Sequence, residues 1–432
     1  MVVCKFGGSS VADSKQIRKV SQILQNDSSR KIAVVSAPGK RTSEDIKVTD
    51  MLYSCQREAM NGISISERFG KIRKRYLEIA KELQVGTDKI AVEINEIEQL
   101  IIDGASADYA ASRGEYLSAK IIALFMGWEF LDTERYIILN TNGTVHASSY
   151  GLLAQAIDPD KHYILPGFYG SSERGEIKTF SRGGSDITGS IVARSVKASL
   201  YENWTDVTGI CMADPGIIKD PKVVHELTYQ EIRELASIGT TVFHEEAIAP
   251  VRSVRIPICV KNTNDPEADG TMIVHEREDS AQPIVGISGK TGYYRLFVKK
   301  FLLNKNPDYE LKICTILEDF GVFTEFASIG FDSLAYYFLG DTLDDEEELL
   351  EIIREELNPE EVSMNERIAM IGVVGEGLYD AKGILGKVSG SLATAGIPIR
   401  FLDYGGSLIT CIIGVDDEEY THALQVMYQS VV

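Results

Sequence analysis

Short, almost wholly apolar runs alternate along the first two thirds of the chain with longer stretches in which apolar residues recur every three or four positions. Val2–Cys4, the run from Lys31 to Ser36, Tyr163–Phe168 and Ile256–Thr263 are of the first kind, and the segment from Ala198 to Ile210 reads as a further strand entering a loop. Such runs, closed by glycine, proline or hydroxyl residues, predict strands buried on both faces of a parallel sheet. Stretches of the second kind predict helices over 11–24, from Val48 onward, 68–83, 88–102, 114–126, 187–198 and 231–238. This alternation predicts an α/β sandwich with a mostly parallel core sheet.

Around 271–283 the composition turns polar and charged, and a domain boundary is expected there. The remainder reads strand–helix–strand twice: 294–301, 309–320 and the strand after Gly321, then 368–374, 381–395 and 397–403, with 408–415 closing the second round. Two small α+β modules follow from this near-repeat. The acidic block 341–348 reads as the solvated opening of another helix.

Composition narrows the function classes. The 432 residues are 44% hydrophobic and 25% charged, ordinary values for a soluble globular protein. A net charge of −20 argues against nucleic acid or an anionic membrane as partner. Six scattered cysteines without a CxxC pair argue against a disulfide framework, and six dispersed histidines show no metal-ligand spacing. There is no signal-like N-terminus and no run of membrane-spanning length, so a cytoplasmic location is expected.

Positive charge beside glycine is therefore informative. Lys5 stands where the first strand ends, before Gly7, Gly8 and Ser9. A diglycine between strand and helix exposes backbone amides to an anion, and Lys5 adds a full charge beside them: a candidate phosphoryl cradle. The order is neither that of a P-loop nor a dinucleotide fingerprint, and a plain turn with a solvated lysine is the alternative. A second pair, Gly183-Gly184, sits between Arg182 and Ser185-Asp186; arginine suits two-point binding of a carboxylate. Thr49 reads as a helix cap or a ligand contact, and Glu115 as a complement to a helix dipole or the holder of an ammonium group. Thr205, Asp206 and Asp214 suit a nucleotide's base and ribose, or turns.

Together KFGGSS (5–10), VVSAPG (34–39), RGE (113–115), SRGGSD (181–186), WTDVTGI (204–210) and ADP (213–215) resemble, in order, the aspartate kinases of the amino acid kinase family, and the tail is similar to their paired ACT modules. The resemblance implies ATP-dependent phosphorylation of the β-carboxylate of L-aspartate, the first step toward lysine, threonine and methionine, with Mg²⁺ held mainly on ATP oxygens. It implies a three-layer kinase domain over 1–280 and ACT modules over 281–365 and 366–432, the segment 284–292 being lent to the second module as a strand.

By the same resemblance Lys5 and Asp186 are catalytic, and Gly7, Gly8, Ser9, Gly183 and Gly184 bind phosphate. Ser36, Thr49, Glu115, Arg182 and Ser185 bind substrate, with Thr42 competing for the place of Thr49. Thr205, Asp206 and Asp214 serve the nucleotide. Lysine or threonine is the implied effector, near Asn306, Ser328 and Asp332, and a homodimer or tetramer is implied through the ACT modules. Three positions depart from the family pattern: the loop after Gly39 is longer, Thr241 replaces a lysine, and Cys211 replaces an aromatic. A kinase of the same fold acting on glutamate, carbamate or a nucleotide, and a non-catalytic amino acid sensor, are the rival readings; a fused dehydrogenase is not expected within this length.

Overall fold

β1 (Val2–Phe6) is buried along its whole length and pairs in parallel on both sides, as its largely apolar pattern fits. The computed structural model describes 1–181, 183–240, 245–277, 282–340, 343, 345–364, 367–404 and 406–432. Arg182, the 241–244 segment and Asp341 therefore lie outside the described residues.

The described chain forms two compact units, the first comprising 1–210, 223–236 and 241–277. After β1 come α1 (Ser14–Gln25), β2 (Arg30–Val35), α2 (Val48–Met60), α3 (Ser66–Glu82), α4 (Thr87–Ile102) and α5 (Ala107–Met126). Then follow β3 (Glu129–Phe130), β4 (Ile138–Leu139), α6 (Ser148–Ala156), β5 (Tyr163–Pro166), β6 (Tyr169–Ser172), β7 (Ile177–Thr179), α7 (Gly184–Ser195) and β8 (Leu200–Thr205). The unit ends with β9 (Glu226–Thr228), α8 (Tyr229–Ile238), α9 (Ile248–Arg252), β10 (Ile258–Asn262) and β11 (Thr271–Val274).

The main sheet has the order β3-β5-β2-β1-β8-β10-β11-β9, and β3 through β10 run parallel within it. Alternation assigns side chains to two faces. Cys4, Phe6, Ala33, Val35 and Ile164 point into a core shared with α1–α5, including Leu24, Leu52, Phe69, Tyr76 and Ile94. α7 packs on the opposite face of β1, β2 and β8, with α6 and α9 beside it. The result is the expected three-layer α/β sandwich.

Two local details differ from the sequence pattern. The first helix begins at Ser14, after a 3₁₀ turn over Ser9–Val11, because the Asp13 carboxylate accepts the Gln16 N–H and fixes the start there. α5 begins seven residues before Gly114, because Ser106 Oγ accepts the Tyr109 N–H at 3.1 Å. Glu115 is therefore an interior helical residue, and the dipole-complement reading does not apply to it.

The second unit comprises 211–222, 237–240 and 278–432. It contains β12 (Gly286–Lys299), α10 (Pro307–Asp319), β13 (Phe326–Ile329), β14 (Ser333–Leu339), α11 (Glu346–Leu357) and β15 (Glu361–Ser363). β16 (Arg367–Val374), α12 (Ile384–Thr394), β17 (Phe401–Tyr404), β18 (Thr410–Asp416) and α13 (Tyr420–Val431) complete it. The two repeats share one sheet, ordered β13-β14-β12-β16-β18-β17 with β15 also on β12. Most of segment 284–292 lies in β12, whose first half pairs with β16 and second half with β14; the pairing with β16 shifts register between Lys290 and Tyr293.

Candidate active site

The parallel strands of the first unit deliver their loops to their carboxyl ends, the edge at which open α/β sheets bind ligands. β1 sits at the centre of this edge. Its penultimate residue, Lys5, is only 7% exposed and faces α7, where Asp186 in the first helical turn meets it at 2.6 Å (Lys5 Nζ to Asp186 Oδ1). The Tyr201 hydroxyl donates to the Asp186 carbonyl at 3.0 Å, tying the helix start to β8.

The two glycines after Lys5 differ in what their amides do. Gly7 N–H donates to the Trp204 carbonyl at 3.1 Å, so it anchors the loop to β8 and is not free for an anion. Among the described residues no acceptor takes the N–H of Gly8 or of Ser9. These are the amides the loop offers. At α7, Gly183 adopts φ +58°, a left-handed cap that glycine tolerates. Neither the Gly184 nor the Ser185 N–H donates to a described residue, as expected at a helix N-terminus.

The β2 loop closes against the β1 loop backbone to backbone. Ser36 N–H donates to the Phe6 carbonyl at 3.1 Å, and Gly39 N–H to the Gly8 carbonyl at 2.8 Å. A Cβ at Gly39 would stand 2.6 Å from the Gly8 carbonyl carbon, and one at Gly114 would stand 2.8 Å from the Ala37 Cβ. Glycine at 39 and 114 is thus demanded by packing.

Glu115, one residue on, is 5% exposed, and its Oε2 has no hydrogen-bond partner among the described residues. Burial pushes its carboxyl up to about 8, opposed by the amides of Ala37 and of Glu115 itself and by the Arg113 charge. A buried, under-satisfied carboxyl group can accept a hydrogen bond from a bound cation. Thr49 lies half-buried in the first turn of α2, whereas Thr42 is exposed in the preceding loop. Tyr53, one turn after Thr49, is close enough to feel the Glu115 charge and bonds Thr179.

The structure thus brings together Lys5, Gly8, Ser9, Ser36, Gly39, Glu115, Gly184, Ser185 and Asp186. Thr205 and Asp206 stand at the end of β8, with Thr205 Oγ1 donating to Asp206 Oδ1 at 3.2 Å and Asp206 exposed. Asp214 belongs to the second unit, where its Oδ1 accepts the Gly216 N–H at 2.8 Å in a turn. In that unit Asn306 precedes α10 without a side-chain cap bond, Ser328 is exposed on β13, and Asp332 Oδ1 accepts the Leu302 N–H at 2.8 Å.

Sequence reasoning missed Asn203, opposite Lys5 in the β1–β8 register, 2% exposed and with an unpartnered Oδ1. It also missed Arg113, which lies 4.6–5.2 Å from the rings of Tyr109, Tyr116 and Tyr169. A polar residue within an apolar strand run was the available signal for Asn203; nothing in the spacing singled out Arg113.

Residues 1–262 match the amino acid kinase family and 371–431 match the ACT domain. The chain is 36% identical to aspartokinase 3 of Bacillus subtilis over 447 residues, covering 99% of this chain and 98% of the relative. It superposes on the crystal structure of the Clostridium acetobutylicum aspartate kinase, which is described as an allosteric enzyme, with TM-score 0.91 and 41% identity over 100% of this chain and 99% of that one. Escherichia coli aspartokinase III, solved with aspartate and ADP, shares the fold with TM-score 0.78 and 23% identity over 100% and 99% of the two chains.

Proposed function

The chain belongs to the aspartate kinases of the amino acid kinase family, phosphotransferases with a carboxyl acceptor, and on that premise we propose that it transfers the γ-phosphoryl group of ATP to the β-carboxylate of L-aspartate. The observation that carries the substrate reading is the buried Glu115 carboxylate with an unpartnered oxygen, beside a cradle of amides and Lys5. An amino acid's ammonium group satisfies the first; a phosphoryl group satisfies the second.

The acceptor carboxylate, with an ordinary pKa of about 3.9, is ionised at neutral pH and needs no general base. Bringing two anions into line is the difficulty, so positioning and charge neutralisation carry the rate. Lys5 neutralises the transferring group, and Asp186 aims the Lys5 ammonium. The amides of Gly8, Ser9, Gly184 and Ser185 receive phosphate oxygens, while Gly7 and Gly183 shape the two loops. Ser36 and Thr49 line the aspartate, and Arg182 takes its α-carboxylate by resemblance. Thr205 and Asp206 take the nucleotide's sugar and base.

Mg²⁺, when bound with ATP, would supply neutralising charge to the phosphoryl oxygens. Asp186, an acceptor-only carboxylate at the cradle, suits it as a protein ligand. Among the described residues no three His, Cys, Asp or Glu side chains cluster as a metal cage. The kinase chemistry is assigned to 1–280, and the ACT modules at 281–365 and 366–432 take an amino acid effector, lysine or threonine, as end products of the pathway that aspartyl phosphate opens.

Trapping the acyl phosphate with hydroxylamine tests the reading. Hydroxamate is expected with aspartate and not with glutamate, is lost in Lys5→Ala, and falls when lysine or threonine is added. A folded chain that binds aspartate yet makes no hydroxamate refutes catalysis.

A further inference from the structure

α3 sends two adjacent side chains under the site from the helical layer. The Tyr76 hydroxyl donates to the Gly114 carbonyl at 2.7 Å, beside Glu115. Arg75, only 3% exposed, divides its guanidinium among three points, Ala12, Gly39 and Asp45. Its Nη2 donates to the Ala12 carbonyl at 3.2 Å and also to the Gly39 carbonyl, and its Nη1 lies 3.2 Å from Asp45 Oδ2. Asp45 is itself held by Arg41 through its side chain (2.9 Å) and its backbone N–H (3.1 Å). The Arg41 bond is the main reason the Asp45 carboxyl is held down to about 2, so this partner stays ionised at any assay pH.

We propose that Arg75 is a positioning residue for phosphoryl transfer: from α3 it clamps the Gly8 loop to the Ser36–Gly39 loop, and through Asp45 it fixes the long loop leading to Thr49. The proposal rests on the aspartate kinase reading of the site. Its physical basis is the bare contact between Gly8 and Gly39. Two glycine loops meeting backbone to backbone have no side chains to interlock, and one hydrogen bond joins them there. A planar guanidinium with donors in a fixed fork can bridge two carbonyls and a carboxylate at once, which a lysine ammonium on a flexible stem does poorly.

The clamp acts unequally on the two substrates. The Gly8 loop has further anchors in the Gly7 bond to Trp204 and the 2.8 Å contact between the Ser10 and Thr263 hydroxyls. The Ser36–Gly39 loop, whose Ala37 amide serves Glu115, leans more heavily on Arg75. Loss of the clamp therefore falls on aspartate more than on ATP.

The test combines kinetics with amide hydrogen exchange on full-length Arg75→Met, Arg75→Lys and Asp45→Asn. In Arg75→Met, exchange in segments 7–12 and 36–47 is expected to accelerate, the aspartate KM to rise about tenfold and kcat to fall severalfold, with the ATP KM little changed. Added millimolar guanidinium restores part of the activity, which a general folding defect would not allow, and Arg75→Lys stays impaired. Unchanged exchange and an unchanged aspartate KM overturn the clamp, as does equal damage to both KM values without guanidinium rescue. If Arg75→Met does not fold, Asp45→Asn decides alone: faster exchange over 36–47 with a raised aspartate KM supports the proposal, and wild-type behaviour overturns it. Should the wild-type chain make no hydroxamate, the functional reading fails while the exchange arm still decides the clamp.

Discussion

Glu115→Gln separates the ligand role of this carboxylate from a packing role, because glutamine keeps its shape and loses its charge. Burial lifts the wild-type carboxyl from 4.5 to about 8, so at pH 7 roughly one molecule in ten presents the anion. Pairing with the substrate ammonium then requires prior loss of a proton, at about 1.4 kcal/mol per pH unit below the pKa. The aspartate KM should therefore fall about tenfold per unit from pH 6 toward pH 8 and level off above it. Tyr53 and Tyr76, which feel the Glu115 charge, are both pushed upward by burial and do not titrate in this window. Stability moves the opposite way. With the folded pKa above the unfolded one, the native state retains a proton that the unfolded chain releases. The contribution is complete below about pH 4.5, shrinks as pH rises, and is gone above about 8, at most about 5 kcal/mol in all. Glutamine removes both trends. It raises the aspartate KM by about 30-fold or more, as expected for losing a buried charged partner, and makes the urea midpoint less sensitive to pH between 5 and 8. Hydroxamate kinetics at saturating ATP and urea titrations across that range read both effects. A wild-type KM flat from pH 6 to 8, or a variant KM within threefold of wild type, refutes the reasoning.

Two further substitutions test the packing around the site. Gly39→Ala puts a Cβ 2.6 Å from the Gly8 carbonyl carbon and should cost about 1–3 kcal/mol in urea unfolding and weaken aspartate binding, whereas Gly151→Ala on α6, with no atom within 4 Å of the new Cβ, should be neutral or slightly stabilising. Glu231→Ala leaves the buried Arg277 guanidinium, paired to it at 2.6 Å, without that carboxylate; a loss of about 3–5 kcal/mol is expected by thermal or urea unfolding, and a loss under 1 kcal/mol would show the pair to be well replaced by water.

The strands were legible because a parallel sheet covered on both faces leaves short apolar runs, Val2–Cys4 in β1 and 32–35 in β2, and their ends were legible because glycine and proline follow within a few residues. Helix starts were less so. α5 begins at small residues, Ala107 to Ser112, that carry little periodic signal, and only the Ser106 cap marks it. Lys5 and Asp186 were readable as chemistry standing beside glycine, and they meet. Asp214 stands in a turn, its Oδ1 accepting the Gly216 N–H, and an aspartate before a proline serves a turn as well as a ribose, so spacing does not separate the two roles.

The glycines carry the larger lesson. Read in sequence, each pair looks like a device for exposing amides to an anion. In space, Gly7 gives its amide to Trp204, and Gly39 is small because Gly8 presses against it. Only some of the glycines at this edge face a ligand; the rest let two loops approach closely enough to leave one cradle between them. A side chain at either kind of position would damage catalysis, and for different reasons. Loss of activity in a glycine variant therefore does not identify a phosphate ligand, and the sharper probe is a charge that can be removed without changing volume, as at Glu115, or a clamp that can be opened from outside the cradle, as at Arg75.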